Sequence, residues 1–189
     1  MRRPTTTNST EKRKTLRRFH EPSGLYFVTT SNRRRRLVFA GESGGVVAAA
    51  FERLRAEDRA DVLAYVVMPD HVHAIVRSRG EATVGKVMAF LKRVVGNELR
   101  RRGVEGWVWE ARFYDRLIRD EDEFWNAVRY IHENPVKAGI CERPEEWAWS
   151  TSNAAVGADL EDLLVEWSFG TGPSDGWSSE QSEPGADGQ

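Results

Sequence analysis

The sequence is poor in cysteine and has no long hydrophobic segment. Cys141 is the one cysteine among 189 residues, so no disulfide forms within the chain and no cysteine cluster can bind zinc. No apolar run approaches the roughly 20 residues that a membrane-spanning helix needs, and the basic N-terminus lacks the apolar segment of a signal peptide. We therefore expect a cytoplasmic protein with no membrane partner and no thiol redox chemistry.

Neither charge dominates the chain as a whole, but the two signs are segregated along it. The 28 lysines and arginines nearly balance the 29 acidic residues, yet basic residues crowd the first forty positions and acidic residues dominate after Arg143. Such asymmetry indicates a nucleic-acid partner together with an acidic tail. We expect a basic, disordered arm over residues 1–22, one domain over residues 23–152, and an acidic, largely disordered tail over residues 153–189.

Hydrophobic periodicity predicts seven main elements in the order β-α-β-β-α-β-α. They are strand 25–30, helix 43–59, strand 62–68, strand 71–77, a helix between Thr83 and Gly103, strand 113–119 and a helix from about 121 to 134, with two further short strands at 37–39 and 106–109. Asn134-Pro135 is expected to end the last helix, because a residue before proline resists the α conformation. This order predicts an α+β fold, a ferredoxin-like or RRM-like antiparallel β-sheet backed by α-helices.

Two histidines lie two residues apart, directly after the predicted Pro69-Asp70 turn. Side chains alternate between the faces of a strand, so His71 and His73 point the same way while Val72 points into the core on the opposite face. Two imidazoles on one face can hold a divalent ion. Taken alone, such a pair on a strand is more often structural or exposed than catalytic. A functional site therefore needs a further ligand and a reactive group from elsewhere in the chain.

The last predicted helix carries a tyrosine and an asparagine on one face. Tyr130 and Asn134 are four residues apart, whereas Phe124, Val128 and Ile131 form an adjacent face suited to the core. If this helix packs beside the histidine hairpin, Tyr130 can present its oxygen to a phosphate while Asn134 completes a loose site for Mg²⁺ or Mn²⁺. The alternatives are that Tyr130 is a packed helix aromatic and that Asn134 caps the helix end.

Five segments of the chain match a known family, and they occur in the same order. They are Tyr26-Phe27-Val28-Thr29, Val66-Val67-Met68-Pro69-Asp70-His71-Val72-His73, Trp109 with Arg112-Phe113-Tyr114-Asp115, Val128 to Gly139, and Trp147-Ala148-Trp149-Ser150. Over about Gly24 to Ser150 the chain resembles the single-tyrosine HUH-endonuclease transposases, particularly the REP-associated tyrosine transposases. The resemblance implies the HUH endonuclease fold, with Tyr130 as nucleophile and with His71, His73 and Asn134 as ligands of a divalent metal ion, Mg²⁺ or Mn²⁺.

The same resemblance implies a substrate and a reaction. The substrate would be single-stranded DNA beside a palindromic hairpin, cleaved through a 5′-phosphotyrosine intermediate and rejoined in strand transfer. An enzyme of this kind would act on DNA in the nucleoid, as a monomer or a homodimer. The alternative, from a different functional class, is a catalytically inactive or domesticated module that binds hairpin DNA or RNA. A histidine-triad nucleotide hydrolase is unlikely, since Ile75 stands where the third alternate histidine would be.

Several basic residues are candidates for contact with DNA. They are Arg33, Arg34, Arg35, Arg36, Lys92, Arg93 and Arg112. The four adjacent guanidiniums at 33–36 repel one another unless an anion is near, which favours contact with phosphate. The pair at 92–93 is explained equally well as the ordinary solvent face of a helix.

Other aromatic and histidine residues compete for a functional role. Tyr65 and Tyr114 are rival nucleophiles, but each lies in a strand-like run where burial is expected. His132 is two positions from Tyr130 on a helix and should point to another side as an exposed histidine. Trp107, Trp109 and Trp125 can stack on unpaired bases, although burial in a small core is the commoner fate of an indole.

Overall fold

Four strands and three helices alternate between residues 24 and 153, the part of the chain that the computed structural model describes. In chain order they are β1 (Leu25–Ser31), α1 (Ser43–Ala56), β2 (Ala60–Val67), β3 (His71–Ser78), α2 (Val84–Arg101), β4 (Tyr114–Leu117) and α3 (Glu121–Lys137), with short 3-10 turns at Arg33–Arg35 and Pro144–Glu146. The predicted order is confirmed. The predicted arm over residues 1–22 and nearly all of the predicted tail lie outside the described residues.

The strands form one antiparallel sheet in the order β2-β3-β1-β4. Met68-Pro69-Asp70 joins β2 to β3, and the two connections that cross the sheet are the helical segments around α1 and α2. This is the ferredoxin-like arrangement that the order of elements predicted, and the α+β fold class is confirmed.

Helices cover both faces of the sheet, so the molecule has two cores. Alternate strand residues such as Tyr26 and Val76 pack with α1 and α2 in one apolar cluster. Their neighbours Phe27 and Ile75 pack on the other face with Phe124 and Ile131 of α3. Because successive side chains of a strand point to opposite faces, strands buried on both sides read as nearly continuous hydrophobic runs. The face under α3 carries the histidines.

The end of α3 differs from the prediction. The helix does not stop at Asn134-Pro135 but continues to Lys137, with Pro135 buried inside it. The backbone N–H of Ile140 donates to the carbonyl of Pro135 at 2.9 Å, and Gly139 adopts φ +67°, so the helix terminates at a left-handed glycine. A residue before proline usually avoids the α conformation, but Asn134 adopts it here because Pro135 is buried and the helix ends later, at Gly139.

Two short strands were also predicted wrongly. Residues 37–39 form a turn in which Leu37 is exposed, and residues 106–109 contribute only an isolated bridge between Asn32 and Trp109. Short apolar runs mimic strands, but without a neighbouring strand to pair with they stay irregular. Among the described residues, no helix is both long and apolar enough to span a bilayer.

A close contact between α1 and the segment after α3 depends on a glycine. The indole of Trp149 lies on Gly44, and a Cβ built on Gly44 would overlap Trp149 Cδ1. The indole N–H donates to the carbonyl of Gly41 at 3.0 Å, which fixes the ring in place. We expect Gly44→Ala to lower the free energy of unfolding by about 1–3 kcal/mol, because the added methyl group overpacks this contact.

Denaturant titration would measure the change. In a protein that already carries Trp149→Ala, Gly44→Ala should lower the free energy of unfolding much less, because the two residues are in contact and their effects are coupled. Gly85→Ala is the matched control, because a Cβ there meets nothing closer than Thr83 Oγ1 at 3.7 Å. Equal effects of the two glycine substitutions would contradict this account of the contact.

Candidate active site

His71 and His73 lie at the start of β3 and point towards the face that α3 covers, while Val72 between them lies in the opposite core. Their ring centroids are 4.7 Å apart. The buried ring of His73 stacks on Phe27 at 5.5 Å and meets the ring of Tyr130 edge-on at 5.1 Å. The two imidazoles therefore lie together, at the boundary between the apolar core and the surface.

Each imidazole is held by an oxygen atom at its Nδ1. Thr29, which pairs with His73 across the sheet, places its Oγ1 2.8 Å from His73 Nδ1. Asp70 places its Oδ1 2.5 Å from His71 Nδ1. When Nδ1 donates the hydrogen bond, Nε2 is the nitrogen left with a free lone pair. Metal-binding histidines are oriented in this way by their neighbours.

Burial controls the charge of His73. Desolvation lowers the pKa of His73 well below the usual imidazole value, and the nearby His71 and Arg35 lower it further. The ring is therefore neutral at physiological pH. A neutral imidazole is the form that binds metal ions, because protonation would occupy the lone pair.

Tyr130 is placed by the packing of α3. The helix begins after Asp120, whose carboxylate accepts a hydrogen bond from the backbone N–H of Glu123 at 2.8 Å. The buried carboxylate of Glu123 accepts a hydrogen bond from the guanidinium of Arg116 on β4, which ties the helix to the sheet. Tyr130 is half-buried against His73 and Phe27, with the ammonium of Lys137 5.8 Å from its ring. The helix thus brings a phenol to the histidine pair.

Asn134 lies one turn after Tyr130 on α3 and is half-buried. Within the described residues, its side chain makes no hydrogen bond with either histidine. No group of three or more His, Cys, Asp or Glu side chains in residues 24–153 is arranged to hold a metal ion. A divalent ion bound by the two imidazoles would need further ligands, for which the Asn134 amide oxygen, water and substrate are the candidates. Imidazole nitrogens combined with oxygen ligands fit a divalent ion such as Mn²⁺, and the hydrogen bonds at Nδ1 leave each Nε2 available to bind it.

The arginine run is exposed and rigidly held beside this site. Arg34 and Arg35 have φ values of +58° and +50°, in the left-handed region that side chains other than glycine rarely adopt. The backbone N–H of Arg33 donates to the carbonyl of Val108 at 3.0 Å, and that of Arg34 donates to the Glu110 carboxylate at 3.0 Å. The guanidinium of Arg35 bonds to Asp70 at 3.3 Å, on the oxygen that does not face His71.

The remaining basic candidates differ in their surroundings. Arg36, Arg93 and Arg112 are exposed. The ammonium of Lys92 instead donates to the carbonyls of Glu110 and Arg112, at 2.8 and 3.0 Å, and burial lowers its pKa to about 8. Lys92 therefore supports the loop before β4.

Of the three competing tyrosine and histidine residues, one lies where the sequence predicted and two do not. Tyr65 is buried as predicted, on the face away from the histidines. Tyr114 is 40% exposed on β4, opposite Thr29, because an edge strand leaves one side uncovered. His132 is not an exposed histidine, since its Nε2 lies 3.0 Å from Thr151 Oγ1 and it is half-buried. Sequence reasoning also missed the roles of Thr29 and Asp70, because cross-strand partners are invisible before the register is known.

The depressed pKa of His73 predicts how stability depends on pH. An imidazole in the unfolded chain takes up a proton as the pH falls through about 6.5, whereas buried His73 stays neutral to lower pH. The free energy of unfolding should therefore decrease below pH 6.5, by up to about 1.4 kcal/mol per pH unit for this one group. His73→Gln should reduce that slope.

Denaturant titrations at pH 7.5 and 5.5, in the presence of a chelator, would measure the slope. Burial also lowers the pKa of His132, so His132→Gln should remove a separate part of the same dependence. An unchanged slope in both variants would contradict this assignment.

Comparisons with known proteins agree with this fold. The family described as "Transposase IS200 like" matches residues 24–134. A Haemophilus influenzae protein assigned to the REP-associated tyrosine transposases is 26% identical over 155 residues, which cover 76% of this chain and 88% of the relative. The REP-associated tyrosine transposase of Escherichia coli is 24% identical over 152 residues, covering 80% of this chain and 88% of the relative.

One solved structure supports the same architecture. A REP-associated tyrosine transposase bound to a REP hairpin superposes with a TM-score of 0.62 and 22% sequence identity, covering 86% of this chain and 93% of that one. At this identity the likeness establishes the fold. The family match covers more than half of the sequence and includes both histidines, Tyr130 and Asn134. The chain therefore belongs to the IS200-like transposase family.

Proposed function

We propose that this protein is a metal-dependent endonuclease and strand transferase that cleaves single-stranded DNA beside a palindromic hairpin, with Tyr130 as its nucleophile. The observation that carries the proposal is the contact of the Tyr130 ring with His73, 5.1 Å between ring centroids, inside a single chain. A phenol next to two oriented imidazoles matches the needs of phosphodiester transesterification.

The proposed reaction exchanges one phosphodiester bond for another. The Tyr130 oxygen attacks the scissile phosphorus and loses its proton, while the bond from phosphorus to the 3′ oxygen breaks and that oxygen takes up a proton. The products are a 5′-phosphotyrosine and a free 3′-hydroxyl. Because the new ester retains the bond energy, another 3′-hydroxyl can attack it and release Tyr130, which completes strand transfer without a nucleotide cofactor.

The proposed metal site comprises His71, His73 and Asn134. A bound Mg²⁺ or Mn²⁺ would polarise the scissile phosphate and stabilise the charge that develops on it. The contribution of the chain is to hold the imidazoles ready, with Thr29 and Asp70 fixing their orientation and burial keeping His73 neutral. The ring of Tyr130 is held against His73 by the packing of α3.

Hairpin DNA is the proposed substrate because of the relatives and the surface charge. The structurally similar transposase was solved with a REP hairpin, and the curated relatives bear the same family name. In this chain the exposed arginine run lies directly beside the candidate active site, where Arg35 contacts Asp70. Guanidiniums are suited to phosphate contacts.

Tyr130→Phe tests the nucleophile. We expect the parent protein, incubated with Mn²⁺ and a labelled hairpin that carries single-stranded flanks, to form a covalent adduct that survives denaturing electrophoresis. Tyr130→Phe should lower the adduct to background, because the attacking oxygen is removed while the ring contacts remain. Tyr114→Phe is the matched control, since Tyr114 is exposed and faces the same side of the sheet.

The outcomes separate the possible functions. An adduct lost in Tyr114→Phe but kept in Tyr130→Phe would transfer the role to Tyr114. Binding of the hairpin by the parent protein with no adduct in any metal would indicate the non-catalytic binding module instead.

Thr29→Val tests how the metal site is supported. Valine keeps the shape of threonine but cannot bond to His73 Nδ1, so we expect Mn²⁺ to bind roughly 10–100-fold more weakly. Thr29→Ser retains the hydroxyl and should bind Mn²⁺ nearly as the parent does. Calorimetric titration measures both affinities. Equal affinities in the valine and serine variants would show that this hydrogen bond does not position His73.

A further inference from the structure

A basic groove of about 580 Å³ lies on the side of the sheet opposite to the candidate active site. It runs between α2 and the loop that precedes β4. Its walls include Arg33, Lys92, Arg93, Gly96, Arg100 and Trp107. No step of the reaction proposed above uses these residues, although Arg33 belongs to the arginine run at residues 33–36.

Charge and an exposed aromatic ring distinguish this groove. Among its lining residues, four are basic and only Glu110 is acidic, and the Glu110 carboxylate already accepts a hydrogen bond from the backbone of Arg34. Trp107 is 72% exposed, the largest exposed fraction among the large hydrophobic residues of the described chain. An indole left in water beside guanidiniums is the combination that binds unpaired nucleotides, by stacking on the base and pairing with the phosphates.

An anchored indole and a glycine line the floor of the groove. Trp109, next but one to Trp107, is anchored by a hydrogen bond from its indole to the carbonyl of Lys92 at 3.1 Å and by contact with Phe39. Gly96 lies in the middle of α2, where a glycine costs about 0.5–1 kcal/mol relative to alanine. A Cβ built on Gly96 would meet only the Arg100 guanidinium at 4.0 Å, so packing does not require the glycine.

The arginine run connects this groove with the candidate active site. Arg33 lines the groove, whereas Arg35, two residues later, bonds to the Asp70 that holds His71. The two sites are therefore neighbours at the same end of the sheet. A DNA strand that reached the active site over the arginine run would pass Arg33, which lines the groove.

We propose that the groove binds an unpaired nucleotide of the DNA substrate, with its base stacked on Trp107 and its phosphates against Arg33, Arg93 and Arg100. This inference rests on the proposed function and deepens it, because it assigns a second subsite for the single strand that flanks the hairpin. The base fits over Gly96, where the helix leaves space.

Binding measurements with Trp107 variants test the subsite. The full chain carrying Tyr130→Phe, which prevents cleavage, is titrated into labelled hairpins with and without single-stranded flanks, and fluorescence anisotropy reports the Kd. Trp107→Ala should weaken binding of the flanked hairpin by roughly tenfold, the effect of losing one stacked base. Trp107→Phe should retain most of the affinity, and the flush-ended hairpin should bind both variants like the parent.

Two further variants sharpen the test. Gly96→Leu should weaken binding of the flanked hairpin without replacing the tryptophan, since its side chain fills the groove. Trp125→Ala is the matched control: Trp125 is 42% exposed but lies on α3, in a different groove that also contains Glu133 and Glu145. Hairpins that carry a single abasic site at successive positions of the flank should identify one nucleotide. Loss of that base should weaken DNA binding by the parent but not by Trp107→Ala.

Failure of the inference and failure of the proposed function give different results. If Trp107→Ala binds the flanked hairpin as tightly as the parent does, or binds the flanked and the flush-ended hairpins equally more weakly, the groove is not a site for an unpaired base. Adduct formation through Tyr130 is unaffected by that result. If the parent binds neither hairpin, both the proposed function and the subsite are wrong.

Discussion

The packing of α3 against the sheet is the interaction on which the candidate site depends. Phe27 and Ile75 of the sheet meet Phe124 and Ile131 of the helix in one apolar cluster, and Tyr130 precedes Ile131 directly. Burial of these side chains therefore fixes the phenol against His73. The second core, beneath α1 and α2, lies on the other face and holds the hairpin strands together independently of this contact. The candidate site therefore lies on the face that α3 covers, while both faces contribute buried core.

Burial of an imidazole next to the phenol of Tyr130 has a cost and a consequence. A polar ring inside a core must find a hydrogen bond, and Thr29 supplies it from the neighbouring strand. In return, desolvation keeps the pKa of His73 low, so the ring stays neutral at physiological pH. His71 is nearer to solvent and is held instead by Asp70. The orientation of one imidazole is set by the core and that of the other by the turn before β3.

The sequence predicts the elements of this fold well because periodicity is local, and it predicts contacts between elements poorly. Alternation along β3 was sufficient to place both histidines on one face. The proximity of Tyr130 depends on which face of the sheet α3 covers, and only the resemblance to a known family supported it beforehand. The continuation of α3 through Pro135 and the hydrogen bond of His132 arise from tertiary packing. The exposure of Trp107 was likewise hidden, since composition favours burial of an indole.

The backbone of the arginine run explains how one short segment can serve both faces. In an extended strand, residues two apart point the same way, so a continuation of β1 would direct Arg33 and Arg35 to one side. The left-handed conformations of Arg34 and Arg35 break that pattern, at a cost of about 1–2 kcal/mol for each residue. Hydrogen bonds from this backbone to Val108 and Glu110 hold it there. Arg33 consequently lines the basic groove while Arg35 reaches Asp70 beside the histidines. Strained backbone that persists under such restraint is typical of functional sites, and here it links the two surfaces that the proposed DNA substrate would contact.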